Sequence, residues 1–165
     1  MMSETYVECL VKKKSNTGMV FLRMLTTIMA AAFILIGLII WPALLIGVAM
    51  GVAAYFVYLN ADLEYEYLYL DKEITIDKVM AKSKRKKVAK YEVERMEILA
   101  PIKSWHMDGF KNRTVKTVDY SSGVENQRDL RYVMYYEGNL KVILEPSMEM
   151  VKAIKNIAPR KVFMD

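Results

Sequence analysis

At 165 residues with a formal net charge of +5, the chain is sized for one small domain and carries an excess of cations that calls for an anionic partner. Its one cysteine excludes an intramolecular disulfide, and one cysteine with one histidine cannot supply a typical zinc set. A P-loop, a dinucleotide-binding glycine set and a GxSxG elbow are all missing.

Residues 1–20 form an N-terminal flank, expected in the cytoplasm. Tyr6, Val7, Leu10 and Val11 precede the cations Lys12 to Lys14. Two readings stand open for this stretch: a short helix lying in a membrane interface, or a strand added to the later domain. Cys9 beside the basic run is read as a free thiol in preference to a lipidation site.

The next segment organises the chain. Between Arg23 and Asp62 there is no charged residue and no histidine. As one helix, Met24 to Ala61 would run to about 57 Å, against a hydrocarbon core of about 30 Å. It is too long for a signal-peptide core of about 7–15 residues. Residues 21–61 therefore read as a transmembrane hairpin, with helices over about 21–40 and 44–60. A tight turn is expected at Trp41-Pro42-Ala43, where proline interrupts the helix and tryptophan suits the interface. Cations flank both ends and none lies in the turn, so both termini are expected in the cytoplasm. Ala43, Gly47 and Gly51 recur at four-residue spacing, a surface for close helix packing. The expected contact is between the two arms, with a homodimer face as the sharper alternative.

After Asp62 the period changes to two. Tyr65, Tyr67 and Tyr69 alternate with Glu64, Glu66 and Leu68, predicting a strand with an aromatic core face. Asp71-Lys72 turns the chain into a second strand over residues 73–77. Lys82, Lys84, Arg85, Lys86, Lys87 and Lys90 form the densest basic run. They are the candidate contact for anionic lipid, since each cation beside an acidic leaflet contributes about 1 kcal/mol. The competing reading is a solvated face that only fixes topology.

A strand over residues 93–99 stops at Ala100-Pro101. Residues 102–113 read as a loop, with Trp105, Met107 and Phe110 available for the core or a contact surface. Strand character returns over residues 114–120, and residues 121–129 read as a polar, mobile connection. A hairpin follows around Glu137-Gly138-Asn139. Ser147 caps a last amphipathic helix over 147–158, closed by Pro159.

About seven strands followed by one helix, over residues 62–165, resemble the pleckstrin-homology-like fold. The stretches Asp62-Leu63-Glu64-Tyr65-Glu66-Tyr67, Lys82-Ser83-Lys84-Arg85-Lys86-Lys87 and Ala158-Pro159-Arg160-Lys161-Val162-Phe163 are similar to those of an uncharacterised Firmicutes family. That family comprises small two-span membrane proteins with a domain of unknown function. The resemblance implies an α+β membrane protein: a helical hairpin, then an antiparallel PH-like β sandwich or barrel capped by a C-terminal helix. It implies a bacterial plasma membrane and transfers no site residue.

Function is thus expected to be non-catalytic, with no cofactor, no metal and no nucleic-acid partner. The leading expectation is a membrane-anchored binding or scaffold module with its basic domain at the inner leaflet. The alternative is an accessory subunit of a transporter or envelope enzyme, held through the hairpin; the absence of charge inside the spans argues against an ion path within this chain.

Overall fold

The computed structural model describes residues 5–124 and 129–165. The chain divides into two compact units. One is helical and comprises Lys14–Leu63 with Val79–Arg85. The other takes the stretch up to Lys13, Glu64–Lys78 and Lys86–Asp165.

The helical unit is built from α1 (Thr17–Gly37) and α2 (Trp41–Ala61), each of 21 residues. At 1.5 Å per residue each runs about 32 Å, the thickness of a hydrocarbon core. Asn16 caps α1, its side-chain oxygen accepting the Gly18 N–H at 3.0 Å. The expected helix limits need correcting. The first helix starts at Thr17 and ends at Gly37, and the link is residues 38–40. Trp41 and Pro42 lie in the first turn of α2, not in the link. Proline costs nothing there, because the N–H it lacks would have no intrahelical acceptor.

Glycine lets the two helices approach backbone to backbone. A Cβ on Gly37 would stand 2.6 Å from the Leu44 Cα, and one on Gly47 would stand 2.9 Å from the Ile34 backbone nitrogen. Gly51 differs: a Cβ there would have nothing within 4 Å. Ala43 is half-buried and Ala30 is buried. Only 6% of the apolar window of α1 and 17% of that of α2 are buried. These are therefore not core helices of a folded globule; both are long and apolar enough to cross a membrane.

Apart from residues 63, 79–80 and 84–85, which belong to the helical unit, two four-stranded sheets lie in the β unit. The first runs in the order β1 (Val7–Lys12), β2 (Leu63–Leu70), β3 (Glu73–Met80), β4 (Lys84–Glu92). Of the two readings left open for the N-terminal flank, the strand is the one found. β1 pairs antiparallel with β2, from Val7 opposite Tyr69 to Lys12 opposite Glu64. Residues from before and after the helical hairpin thus become neighbours in one sheet. The β2–β3 link is a two-residue turn with Asp71 and Lys72 at φ of 50° and 65°. Two positive φ values give the type I′ turn whose twist suits a hairpin, here without glycine.

The second sheet runs in the order β5 (Met96–Pro101), β7 (Tyr132–Tyr136), β8 (Leu140–Leu144), β6 (Lys116–Asp119). One pairing departs from the antiparallel expectation: β6 lies parallel to β8, with Lys116 opposite Leu140. A parallel pair cannot be joined by a tight turn. The chain from β6 instead crosses to β7 and returns along β8. The β7–β8 turn carries Glu137 and Gly138 at φ of 49° and 73°, the left-handed region that glycine enters freely.

One core lies between the sheets and α3 (Met148–Ile157). Tyr65, Tyr67, Tyr69, Ile74 and Ile76 meet Met96, Leu99, Met134 and Val142, with Met150, Val151 and Ile154 of α3 against them. Glu64 and Glu66, which alternate with these tyrosines, are buried as well. Ser147 caps α3, its Oγ accepting the Met150 N–H at 3.2 Å. Residues after Pro159 dock as a short bridge: Phe163 N–H donates to the Leu99 carbonyl at 2.9 Å and Leu99 N–H to that of Lys161 at 2.8 Å.

The loop expected over 102–113 contains a 3₁₀ segment, Trp105–Phe110. Its three large apolar side chains separate. Met107 is buried in a second cluster with Ile98, Val133 and Tyr135. Phe110 packs on Tyr135 with ring centroids 4.8 Å apart. Trp105 is 70% exposed.

The close approach of α1 and α2 yields a test of the glycines. Gly37→Leu and Gly47→Leu should each lower the thermal unfolding midpoint of the full chain in detergent micelles, followed by helical circular dichroism. Gly51→Ala should not, since its Cβ has room and alanine favours a helix by about 1 kcal/mol over glycine. Equal destabilisation by all three would refute the packing.

Candidate functional site

The basic run is built on β4. Among the described residues that strand pairs only with β3, at one end of its sheet, and its other edge has no strand beside it. Lys84, Arg85, Lys86, Lys87 and Lys90 are all exposed on it. Lys82 precedes it, in a turn where Ala81 and Lys82 take φ of 48° and 54°. Alternation along a strand sends Lys84, Lys86 and Lys90 to one face and Arg85 and Lys87 to the other. The cations therefore flank the open edge from both sides and do not form one flat patch.

Their partners differ. Lys90 Nζ is 2.8 Å from Glu73 Oε2, and this hydrogen bond raises its pKa further above the usual range. Lys90 is thereby spoken for. Lys84 Nζ stands 5.2 Å from the centroid of the Tyr55 ring near the end of α2. Both belong to the helical unit, as does the bond from Ala81 N–H to the Asp62 carbonyl at 2.8 Å. That bond pins the β3–β4 turn to the C-terminal end of α2. In the same unit the Arg23 Cζ lies 4.4 Å over the Tyr58 ring. The open end of the helical hairpin thus gathers cations and tyrosines, whereas its closed end, with Leu38, Ile39 and Trp41 exposed, has no charge.

The second candidate place was not foreseen. A cavity of about 330 Å³ is lined by Cys9, Leu10, Ser122, Leu130, Glu145 and Ser147, among others. Beneath it Tyr67 OH donates to the Tyr120 carbonyl at 2.5 Å and accepts the Glu145 N–H at 3.3 Å. Ser122 N–H donates to Glu145 Oε2 at 3.0 Å, and Ser121 gives both its N–H and its hydroxyl to Asp119 Oδ1, at 2.8 and 2.6 Å. Ser121 and Ser122, expected in an exposed polar connection, are buried; residues 125–128 of that connection lie outside the described residues. An Asp two residues before a Ser is the signature of such an Asx turn, and it was the available signal.

Chemically this cluster is quiet. Burial raises the pKa of the Cys9 thiol and pushes that of the Tyr67 phenol well above its ordinary value, because the charged forms would lose water. Its hydrogen bonds pair donors with acceptors and tie β2, β8 and the 119–122 turn together. His106 is sandwiched between Trp105 and Phe163, with centroids at 3.7 and 3.6 Å, and its Nε2 is 4.0 Å from Asp165 Oδ1. Among the described residues there is no group of three or more His, Cys, Asp or Glu suited to a metal ion.

The Tyr67 network makes a measurable claim. Tyr67→Phe leaves a half-buried carbonyl and a half-buried N–H without this partner and should cost about 1 kcal/mol or more of unfolding free energy. Denaturant titration of the full chain reads this directly; a change near zero would mean that the hydroxyl carries no structural weight.

No curated protein and no solved structure matches the chain. A family model does, over residues 3–164, which is nearly the whole sequence. With two sheets, a C-terminal helix and an apolar helix pair within that match, the chain belongs to the family described as bacterial PH-like domain (DUF6106).

Proposed function

We propose that this protein is a membrane-anchored, non-catalytic binding or scaffold module. Its hairpin crosses the bacterial plasma membrane twice, both termini are cytoplasmic, and the basic β domain works at the anionic inner leaflet. The observation that carries this reading is the β1–β2 ladder. It brings Lys12 and Glu64, which bracket the helical hairpin, to neighbouring positions. A pair of apolar helices whose two ends return to one sheet must enter and leave a bilayer on the same side.

Three further features support the reading. The helices leave large apolar side chains exposed, among them Phe21, Leu35 and Phe56, which lipid accepts and water does not. Cations collect at the open end of the hairpin, as positive flanks on the cytoplasmic side do. The exposed cations Lys82, Lys84, Arg85, Lys86 and Lys87 supply attraction to acidic head groups.

A second reading, an accessory subunit of a membrane complex, draws on Trp105. It is exposed yet backed by the His106 and Phe163 rings, and such a rigid aromatic suits a protein partner. A stoichiometric partner recovered in mild detergent, and lost with Trp105→Ala, would favour it.

The leading reading is tested on the full chain in nanodiscs. With Cys9→Ser as background, a nitroxide placed at Val88→Cys reports the surroundings of β4. Raising the phosphatidylglycerol fraction should shift the label from water-accessible toward lipid-accessible. Lys86→Gln with Lys87→Gln should blunt the shift, as should high salt. A label equally wet at every composition would remove the leaflet contact.

A further inference from the structure

The helical unit has an excess of cations that its own carboxylates do not balance. It holds Lys14, Arg23, Lys82, Lys84 and Arg85 against Asp62 alone. Among the described residues, neither Arg23 nor Lys84 makes an ion pair; each is held by a tyrosine ring instead.

Depth makes Arg23 the critical one. It lies in the second turn of α1, and the uncharged part of that helix, Met24 to Gly37, covers only about 21 Å. A hydrocarbon core of about 30 Å cannot be spanned by that length without bringing Arg23 to its edge. A guanidinium at that depth reaches outward and requires an anion. The backbone carbonyl of Arg23 is already engaged by the Thr26 and Thr27 hydroxyls, at 3.1 and 2.7 Å.

The mounting leaves the cation free to bind. The Tyr58 ring lies against the guanidinium, and a ring accepts no N–H in the bidentate way that a phosphate does. Tyr55 and Tyr58 are three residues apart, so their rings neighbour each other on one side of α2. Lys84, over Tyr55, is steadied by the bond between Ala81 and Asp62. Along the same side of α2, Val48 and Val52 are exposed and offer an apolar track.

We propose that Arg23 and Lys84, carried on Tyr58 and Tyr55, form a site for the phosphate of one anionic phospholipid, whose acyl chain lies along α2. A phosphate with an attached chain fits this place better than a free one, because the cations stand directly beside the apolar track. The site is distinct from the contact made by Lys86 and Lys87, and it rests on the reading that the hairpin spans a bilayer.

The test uses the full chain, purified in detergent, with lipid retention read by native mass spectrometry. The wild type should keep one phosphatidylglycerol in preference to phosphatidylcholine by about tenfold or more, as expected of a two-cation phosphate site. Arg23→Gln with Lys84→Gln should abolish the preference. Tyr58→Phe, which keeps the ring, should preserve it, and so should Lys86→Gln with Lys87→Gln. Glycerol 3-phosphate should not compete. Unchanged retention in the Arg23, Lys84 variant would overturn the site, as would displacement by glycerol 3-phosphate at equal concentration. Failure of the underlying reading looks different: the wild type would stay in solution without detergent and hold no lipid at all.

Discussion

The ladder between β1 and β2 is the constraint on which the rest depends. It joins six residues from before the helical hairpin to six from after it, in unbroken register. Closing a flexible loop of about fifty residues costs about 3–4 kcal/mol beyond a constant term. Most of that cost disappears if the helices form first. Gly37 and Gly47 allow α1 and α2 to pack at backbone distance, and Arg23 reaches Tyr58 near the far end of α2. The ends of the hairpin are then already near each other, and pairing β1 with β2 is nearly local. Helix packing and sheet formation support one another, as expected of a sequence whose native contacts agree.

Once β1 is in place, its inward side chains complete the core. Val11 pairs with Tyr65 and Cys9 with Tyr67, and Val11 belongs to the same buried cluster as the tyrosines. Tyrosine in a core must find a partner for its hydroxyl. Tyr67 does so by bridging Tyr120 and the Glu145 N–H, and this bridge anchors the connection after β6. The same residue therefore serves packing through its ring and topology through its oxygen.

How much of this was legible in the chain depended on range. The hairpin of helices, the tyrosine strand, the Glu137-Gly138 turn and the Ser147 cap are written in local pattern and stand close to where that pattern put them. β1 was ambiguous because six residues satisfy a helical and a strand period equally, and its partner lies beyond the whole hairpin. The parallel β6 was hidden for a similar reason: no turn residue announces a crossing. Pro42 misled by its reputation as a breaker, although in a first turn it is harmless. The basic run was obvious as composition, but its arrangement along an open edge, with Lys90 held by Glu73 and Lys84 by Tyr55, needed the fold.

That arrangement gives the lysines two physical consequences. An open strand edge presents unpaired N–H and carbonyl groups, and such edges recruit other strands unless something prevents it. A row of lysines prevents it, because pairing would force their ammonium groups together and strip their water. A lipid head group imposes neither penalty. It brings its own negative charge and stays hydrated, so the ammonium groups keep most of their solvent while gaining attraction. On the proposed reading the same side chains would repel a partner strand and attract the lipid surface. Neither role needs a precisely shaped pocket, which is consistent with cations spread over both faces of β4. A site with shape is expected only where cations are mounted on something rigid, and in this chain that condition is met at Tyr55 and Tyr58.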